Sequence, residues 1–482
     1  MNWSGRRPRF PKFTSSLESG RSCGDGVRLP PDVMTSPLPS SSPSIPQPWL
    51  VRISEAFSPV VSEVLSSLGA TTRTDLGSEY HLVKIQHPEE LQNPDVSRFI
   101  RWRLPVHHMW PCSPPKMENF VEKAAQTLFK KFGVRSPQGL FVGQLNPGSP
   151  DTYFKSLASN VRGRALQLFP TLPATEAEMQ DPKAETLFCL VGREGLFCGM
   201  QSPRDCNGLY PGGSKFINLD SPETISRAGA KIAEALHHLL MYRPPLAAGS
   251  RWLELGACPG GMTSELLRRQ QSVTAIDRAP LDPRLNGHPL LTFIHSDVAA
   301  YRPSTGELFD AMLSDLNGPP QESIEHIARL APRLKPGGIV IFTLKTPRVE
   351  RCAGPARLVR EVCSMASPAG LKRFAETHLP HNRHEFTLFF EKRRADWSVI
   401  VTWGGTVDAW KVRGCLRGIS ALISQMGPTL HFLSNFHASL HIGTSRPHRH
   451  PHPFLGTAES PPDPSVGARP LAGRQQFSAP SH

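Results

Sequence analysis

Trp252-Leu-Glu-Leu-Gly-Ala-Cys-Pro-Gly-Gly-Met-Thr-Ser-Glu-Leu-Leu267 decides the fold. A short apolar run ends in Gly256, a Gly/Pro-rich corner follows at Cys258–Gly261, and an amphipathic helical pattern begins at once. Small residues at a strand-to-helix corner let the backbone approach a ligand close to a helix N-terminus. Beyond the helix, Ser272-Val-Thr-Ala-Ile-Asp277 reads as a second strand ending in a carboxylate. An acid about 20 residues past a glycine-rich turn is placed to grip a ribose diol.

The pattern continues outward on the C-terminal side. Leu291-Thr-Phe-Ile-His-Ser-Asp297, Phe309-Asp-Ala-Met-Leu-Ser-Asp315 and Ile339-Val-Ile-Phe-Thr-Leu-Lys345 are three more strand-like runs, each closing on a charge. Helical periodicity marks 324–334 and 358–364, Lys335-Pro-Gly-Gly338 reads as a turn, and 372–376 with 384–391 as a last pair of strands. Before the corner, Thr224–Leu239 has a helical apolar face with Lys231 midway. Strands alternating with helices predict an α/β fold with a mostly parallel sheet, whose ligand site lies at the carboxyl ends of its strands. Asp277, Asp297, Asp315 and Lys345 all fall at such ends.

Residues 48–205 have a different texture. Trp49–Ser54, Phe57–Leu68 and His81–Gln86 suggest strand, helix and strand; Glu118–Phe132, Gly139–Gly143 and Tyr153–Phe169 repeat the mixture, and Thr186–Gly199 reads as a hairpin turning at Gly192–Gly195. Phe99-Ile-Arg-Trp-Arg-Leu-Pro-Val-His-His-Met-Trp110 interleaves bases with aromatics. That composition suits stacking on RNA; it equally suits an edge strand whose arginines lay their stems on apolar surface.

The chain has 482 residues and a formal net charge of +13. Residues 48–395 keep 41 Lys/Arg against 34 Asp/Glu, so the basic balance is not confined to the ends and favours polyanionic partners. Nine cysteines stand singly with no Cys-x-x-Cys pair, which argues against a disulfide framework or structural zinc. No apolar stretch reaches bilayer-spanning length. The expectation is a cytoplasmic, monomeric protein with neither membrane nor metal partner. Residues 1–47 and 395–482 are rich in Ser, Pro, Gly and Arg and read as disordered. Met34 is an alternative start, and Arg446-Pro-His-Arg-His-Pro-His-Pro453 reads as tail rather than as a metal site.

Leu255-Gly-Ala-Cys-Pro-Gly-Gly261, taken with Asp277, Asp297, Asp315 and Lys345, resembles the FtsJ-like (RrmJ-type) S-adenosylmethionine-dependent ribose 2′-O-methyltransferases. The Cys-Pro-Gly-Gly spelling and the preceding two-part α+β region are similar to the RlmM type, the 23S rRNA cytidine 2′-O-methyltransferases. The resemblance implies a Rossmann-like class I methyltransferase domain at 206–394, preceded by a ferredoxin-like domain at 48–110 and a THUMP-like RNA-binding domain at 111–205. It implies S-adenosyl-L-methionine as cofactor, held by Gly256, Cys258, Pro259, Gly260, Gly261, Asp277, Asp297 and Asp315. Its Lys-Asp-Lys-Glu pattern falls on Lys231, Asp315, Lys345 and on Glu385 in Asn382-Arg-His-Glu-Phe386, with Lys345 as general base and the others positioning it and the ribose. A family serine three residues before the first lysine is Ala228 here, leaving Ser226 as candidate substitute.

The partner implied is RNA, 23S rRNA in particular. Two alternatives stay open, a tRNA or other rRNA substrate and a non-catalytic RNA-binding assembly factor. A lysine acts as a base only when neutral, a form that burial or a neighbouring cation favours.

Overall fold

Seven of the protein's strands form one sheet, in the spatial order Leu291–His295, Ser272–Asp277, Arg251–Leu255, Phe309–Ser314, Leu334–Lys345, Glu385–Lys392 and Leu371–Thr377, and this sheet positions everything that follows. The computed structural model describes residues 47–77, 79–146, 152–215, 217, 219 and 221–394, with the backbone of 398–403 and 406–411. The expectations for 1–46, for Met34 and for the His/Pro tract lie outside the described residues.

In chain order, β1 (Gln47–Ile53), a 3-10 turn leading into α1 (Val61–Ser67), β2 (Thr72–Asp75), β3 (Tyr80–Ile85), short α2 (Pro94–Ser97) and β4 (Ile100–Pro105) make a first unit. Its antiparallel sheet runs β2-β3-β1-β4. The second unit contains β5 (His108–Pro111), α3 (Phe120–Phe132), β6 (Gly139–Gln144), α4 (Tyr153–Leu168), β7 (Thr186–Gly192), β8 (Gly195–Gln201) and short α5 (Pro203–Cys206). Its sheet runs β5-β8-β7-β6, with β6 and β7 parallel and the 186–201 hairpin antiparallel.

The third unit follows as α6 (Ala228–Leu239), β9 (Arg251–Leu255), α7 (Gly261–Arg268), β10 (Ser272–Asp277), β11 (Leu291–His295), β12 (Phe309–Ser314), α8 (Pro320–Leu330), β13 (Leu334–Lys345), α9 (Ala353–Ala366), β14 (Leu371–Thr377) and β15 (Glu385–Lys392). Beyond Arg394 a separate body holds β16 (Ser398–Trp403) paired antiparallel with β17 (Thr406–Lys411).

Side chains alternate across a strand, so the two faces of the large sheet bury two different sets. Trp252, Ala275, Leu313, Ile341 and Phe389 pack with α6 and α7 residues Ile232, Leu239, Met262 and Leu266. Leu253, Leu255, Met312, Val340, Phe342 and Phe390 pack with α8 and α9 residues Ile324, Ile327, Val359 and Val362. Burial on both faces is why these strands read as apolar runs rather than alternating ones. Each fully buried side chain of this size stabilises the fold by about 1.5–3 kcal/mol. The second core also reaches the first sheet. Phe57 stacks on Phe386 with ring centroids 5.2 Å apart and meets Phe99 edge-on.

Three sequence expectations change. Lys335–Gly338 is no turn: β13 runs through it, and the excess residues form a bulge, Phe309 pairing Leu334 while Ala311 pairs Ile339. The helix expected from Thr224 begins at Ala228: a separate turn closes from Thr224 N–H to the Ser221 carbonyl, and Ser226 is packed against Gly261. Arg101, Trp102 and Arg103 do not face solvent, as stacking on RNA requires; all three are buried. Arg101 donates to Glu79 and lies 2.9 Å from His378 Nδ1, while Arg103 donates to the carbonyls of Asp205 and Leu91. The segment is an edge strand, as the alternative reading held, but its arginines are interior struts.

Candidate active site

Gly256 and Gly260 adopt positive φ, +80° and +104°, a conformation that costs an L side chain strain and a glycine little. At Gly256 a Cβ would lie 3.3 Å from the Leu316 backbone, so the corner after β9 runs directly against the loop after β12. Gly260 caps α7, and the Cys258–Pro259 peptide between them is cis. A Cβ on Gly261 would stand 2.0 Å from Ser226 Oγ and 3.1 Å from its Cβ. Gly261→Ala should therefore destabilise the fold by about 1–3 kcal/mol, with Ser226→Gly recovering part of the loss, as read by thermal melts of the single and double variants.

Asp277, at the end of β10, holds the corner from below. Its Oδ2 accepts from the Cys258 backbone N–H at 2.9 Å and its Oδ1 from that of Ala279 at 2.8 Å. Asp297 closes the next strand and accepts from Ala299 N–H at 2.7 Å, with the Arg278 guanidinium 3.6 Å away. These residues surround a cleft of about 460 Å³, lined also by Gly256, Cys258, Pro259, Gly261, Asp315 and Lys345. Gly260 supplies the backbone turn but does not line it.

At the far side, β12, β13, β15 and α6 bring four charges together. The Asp315 carboxylate stands between two ammonium groups, with Lys345 Nζ 3.4 Å from Oδ1 and Lys231 Nζ 3.7 Å from Oδ2. Lys231 donates to Glu385 at 2.6 Å. Lys345 and Glu385 are direct partners in the β13–β15 register, which is how residues 40 positions apart share one sheet end. Lys345 also donates to the Asp315 carbonyl at 3.2 Å and to Asn317 Oδ1 at 2.6 Å. Two cations thus face two anions, each side chain a quarter exposed or less. The amines of the cluster are held by directed hydrogen bonds, and Asp315 and Lys345 of the four line the cleft.

Two site residues escaped the sequence reading. Asn317 was signalled only by its place two residues past a strand-terminal acid. Glu254 lay in plain view as a charge inside an apolar strand, two residues before Gly256. It is 2 % exposed, lines the cleft and accepts from Thr263 Oγ1 at 2.8 Å. Burial pushes its carboxyl up to about 8, with the negative charges of Asp315 and Asp277 adding to the shift and the Thr263 hydrogen bond opposing it. Ser226, the candidate substitute at Ala228, does not line the cleft. Ala228 does, whereas Ser226 Oγ is buried against Gly261 with no hydrogen-bond partner among the described residues. Among the described residues no group of three or more His, Cys, Asp or Glu is arranged to hold a metal, and no helix is long and apolar enough to cross a membrane.

Sheet order and a single reversed strand at β15, with a glycine corner after β9, place this unit in the Rossmann-like α/β methyltransferase fold. No family model matches the chain. Among curated proteins it is 35% identical over 173 residues to ribosomal RNA large subunit methyltransferase M of Xylella fastidiosa strain 9a5c, covering 35% of this chain and 47% of that one. It is 30% identical over 245 residues to the protein of that name from Azotobacter vinelandii, covering 48% and 66%. The chain thus spans about half to two thirds of the length of these relatives. Of solved structures, Aeropyrum pernix fibrillarin bound to S-adenosyl-L-methionine is similar at 17% identity and a TM-score of 0.28, covering 44% of this chain and 84% of that one, a likeness that places no residue of the site.

Proposed function

We propose that this chain is an S-adenosylmethionine-dependent RNA ribose 2′-O-methyltransferase whose substrate is a cytidine of 23S rRNA. The observation that carries the reading is the meeting of Lys231, Asp315, Lys345 and Glu385 at the side of a cleft whose other end is the Gly256–Gly261 corner. Kinship with proteins named ribosomal RNA large subunit methyltransferase M supports the choice of substrate.

The cleft fits the cofactor on its own terms. Its volume lies within the range of about 300–1,000 Å³ usual for small-molecule sites. The corner admits backbone where a Cβ would intrude, Asp277 is placed for a ribose diol, and the buried Glu254 carboxylate suits an α-ammonium. When bound, the cofactor supplies an electrophilic sulfonium methyl. Gly256, Cys258, Pro259 and Gly261 would shape its bed, and Asp297, on the same cleft, would help hold its nucleoside part. Lys345, in its neutral form, takes the proton of the 2′-hydroxyl, while Asp315 and Asn317 fix where that amine points. Lys231, neutralised by Glu385, holds the second oxygen of Asp315. Alignment of this kind is worth about 7 kcal/mol or more of barrier in favourable cases.

Residues 48–205 are read as the part that holds RNA, in keeping with ferredoxin-like and THUMP-like domains. Lys123, Lys130 and Lys131 on α3 and Arg135 beyond it are exposed, and no acid pairs with them among the described residues. They replace Arg101 and Arg103 as candidate phosphate contacts.

The test is methyl incorporation from labelled S-adenosylmethionine into 23S rRNA and tRNA transcripts, followed by mapping of ribose methylation. Incorporation into tRNA alone shifts the substrate, and incorporation into neither removes the reading. Asp277→Ala should weaken cofactor binding about 10- to 100-fold by calorimetry, since it deletes a charge-assisted acceptor and loosens the Cys258 corner. An unchanged Kd would take Asp277 out of the site.

A further inference from the structure

Glu234 is a buried acid that the chemistry above does not use. It sits on α6 three residues beyond Lys231, so both side chains leave the same face of the helix. Only 5 % of it is exposed. Its Oε2 accepts from the His381 backbone N–H at 3.0 Å, and Oε1 is buried with no hydrogen bond among the described residues, 3.7 Å from His381 Nε2.

His381 belongs to the turn between β14 and β15, whose last step delivers Glu385. That turn is gripped from three sides. From β4, Arg101 reaches His378 Nδ1 at 2.9 Å and donates to the Leu379 carbonyl at 3.3 Å. From the end of β13, Thr346 donates to the His384 carbonyl through both its N–H and its hydroxyl, at 2.9 and 2.8 Å. From α6 the hydrogen bonds among the described residues are Glu234 to His381 and Lys231 to Glu385. Within the turn, Asn382 donates to the Glu385 carbonyl at 3.3 Å and to Thr387 Oγ1 at 3.1 Å, stiffening the path from His381 to Glu385.

We propose that Glu234 is a positioning residue, clamping the β14–β15 turn onto α6 so that Glu385 meets Lys231, and through it Asp315, in fixed geometry. The inference rests on the ribose-methylation reading for its catalytic consequence, though not for the clamp itself. A leucine would fill the space at lower cost than an acid, because a buried carboxyl without full hydrogen bonding is unfavourable. Burial pushes Glu234 up to about 8, and the Arg101 and Arg52 charges with the His381 hydrogen bond only partly offset it. The acid is there for the bond it accepts. Removing it leaves Lys231–Glu385, a pair with both side chains about one-fifth exposed, as the remaining hydrogen bond between helix and turn among the described residues, beside the packing of Leu379 in one core with Ile232 and Leu239.

Three measurements on the full chain test this. Glu234→Ala should lower kcat for RNA methylation at least about 10-fold while KM for RNA and the cofactor Kd stay within about 2-fold, because a displaced pair spoils alignment and not binding. Glu234→Gln retains an oxygen that accepts from His381 and should return kcat to within about 3-fold of wild type. Amide exchange at His381–Glu385 should quicken in the alanine variant relative to β9 and β10. An unchanged kcat in Glu234→Ala overturns the proposal, and so does a glutamine variant as slow as the alanine one. Unchanged exchange in the turn overturns the clamp directly. If the wild type methylates no RNA, the functional reading falls, while the exchange result still decides whether Glu234 holds the turn.

Discussion

Lys345→Ala should reduce methyl transfer to RNA by about 10²–10⁴-fold while the cofactor Kd changes less than about 2-fold. The separation follows from where the side chain stands. Lys345 reaches the cleft from the end of β13, and its three polar neighbours are the Asp315 carboxylate, the Asp315 carbonyl and Asn317, all on the loop after β12. No hydrogen bond among the described residues joins it to the corner residues that shape the cofactor bed. Lys345→Arg should fare no better than alanine, since a guanidinium keeps its proton and cannot act as base. Fold stability should shift by less than about 1 kcal/mol, because Asp315 keeps Lys231 and partly exposed pairs contribute little. Asp315→Ala is the informative companion. It removes the anion between two amines, so its loss should match or exceed that of Lys345→Ala, and the double variant should be no slower than the worse single. A Lys345→Ala enzyme at wild-type speed in single-turnover assays would remove this lysine from the chemistry.

How far the site was legible depends on the kind of strand that carries each residue. Asp277, Asp297, Asp315 and Lys345 could be picked out because parallel strands buried on both faces read as apolar runs, and a charge then marks their end. Glu254 obeys the opposite logic. It sits inside such a run and is 2 % exposed, so it looks like an exception to the pattern rather than part of a site. That Glu385 lies opposite Lys345 follows from an antiparallel register, which one-dimensional spacing does not contain. The first sheet was harder still. All four residues of β2 are exposed, so the strand has no apolar face to betray it. Arg101 and Arg103 misled for a related reason. Alternation of basic and apolar residues is the signature of a half-buried strand, and here the presumed wet face is covered by the β14–β15 turn and by Asp205. A second layer packed over a polar face is invisible until the chain is folded.

Glu254→Gln should make the protein more stable at alkaline pH and a worse binder of its cofactor. Burial raises the folded carboxyl to about 8 from an ordinary value of 4.5. Between those two values the unfolded chain has released a proton that the folded chain retains. Stability therefore falls as pH rises through that window and levels off above about 8. Glutamine keeps an oxygen for the Thr263 hydroxyl and cannot titrate, so the variant escapes this loss. Its advantage over wild type should be small near pH 4.5 and grow above pH 8 to at most about 5 kcal/mol, the upper figure set by the pKa displacement. Glu234 titrates over the same range and bends the wild-type curve too, so the difference between variant and wild type is the quantity to read. Denaturant melts at pH 5 and 8.5 measure it, and a constant difference would show that Glu254 does not carry the shift. The cofactor side has the opposite sign. An ammonium group against Glu254 favours its ionised form, so binding to wild type below pH 8 should expel a proton and tighten as pH rises. The glutamine variant should bind more weakly and without that slope. Calorimetry in two buffers of different ionisation enthalpy reports the proton directly. If the variant releases as many protons as the wild type, the carboxyl beneath the glycine corner is structural. If the release vanishes, the fold gives up stability at Glu254 to place a charge where the ligand's cation needs one.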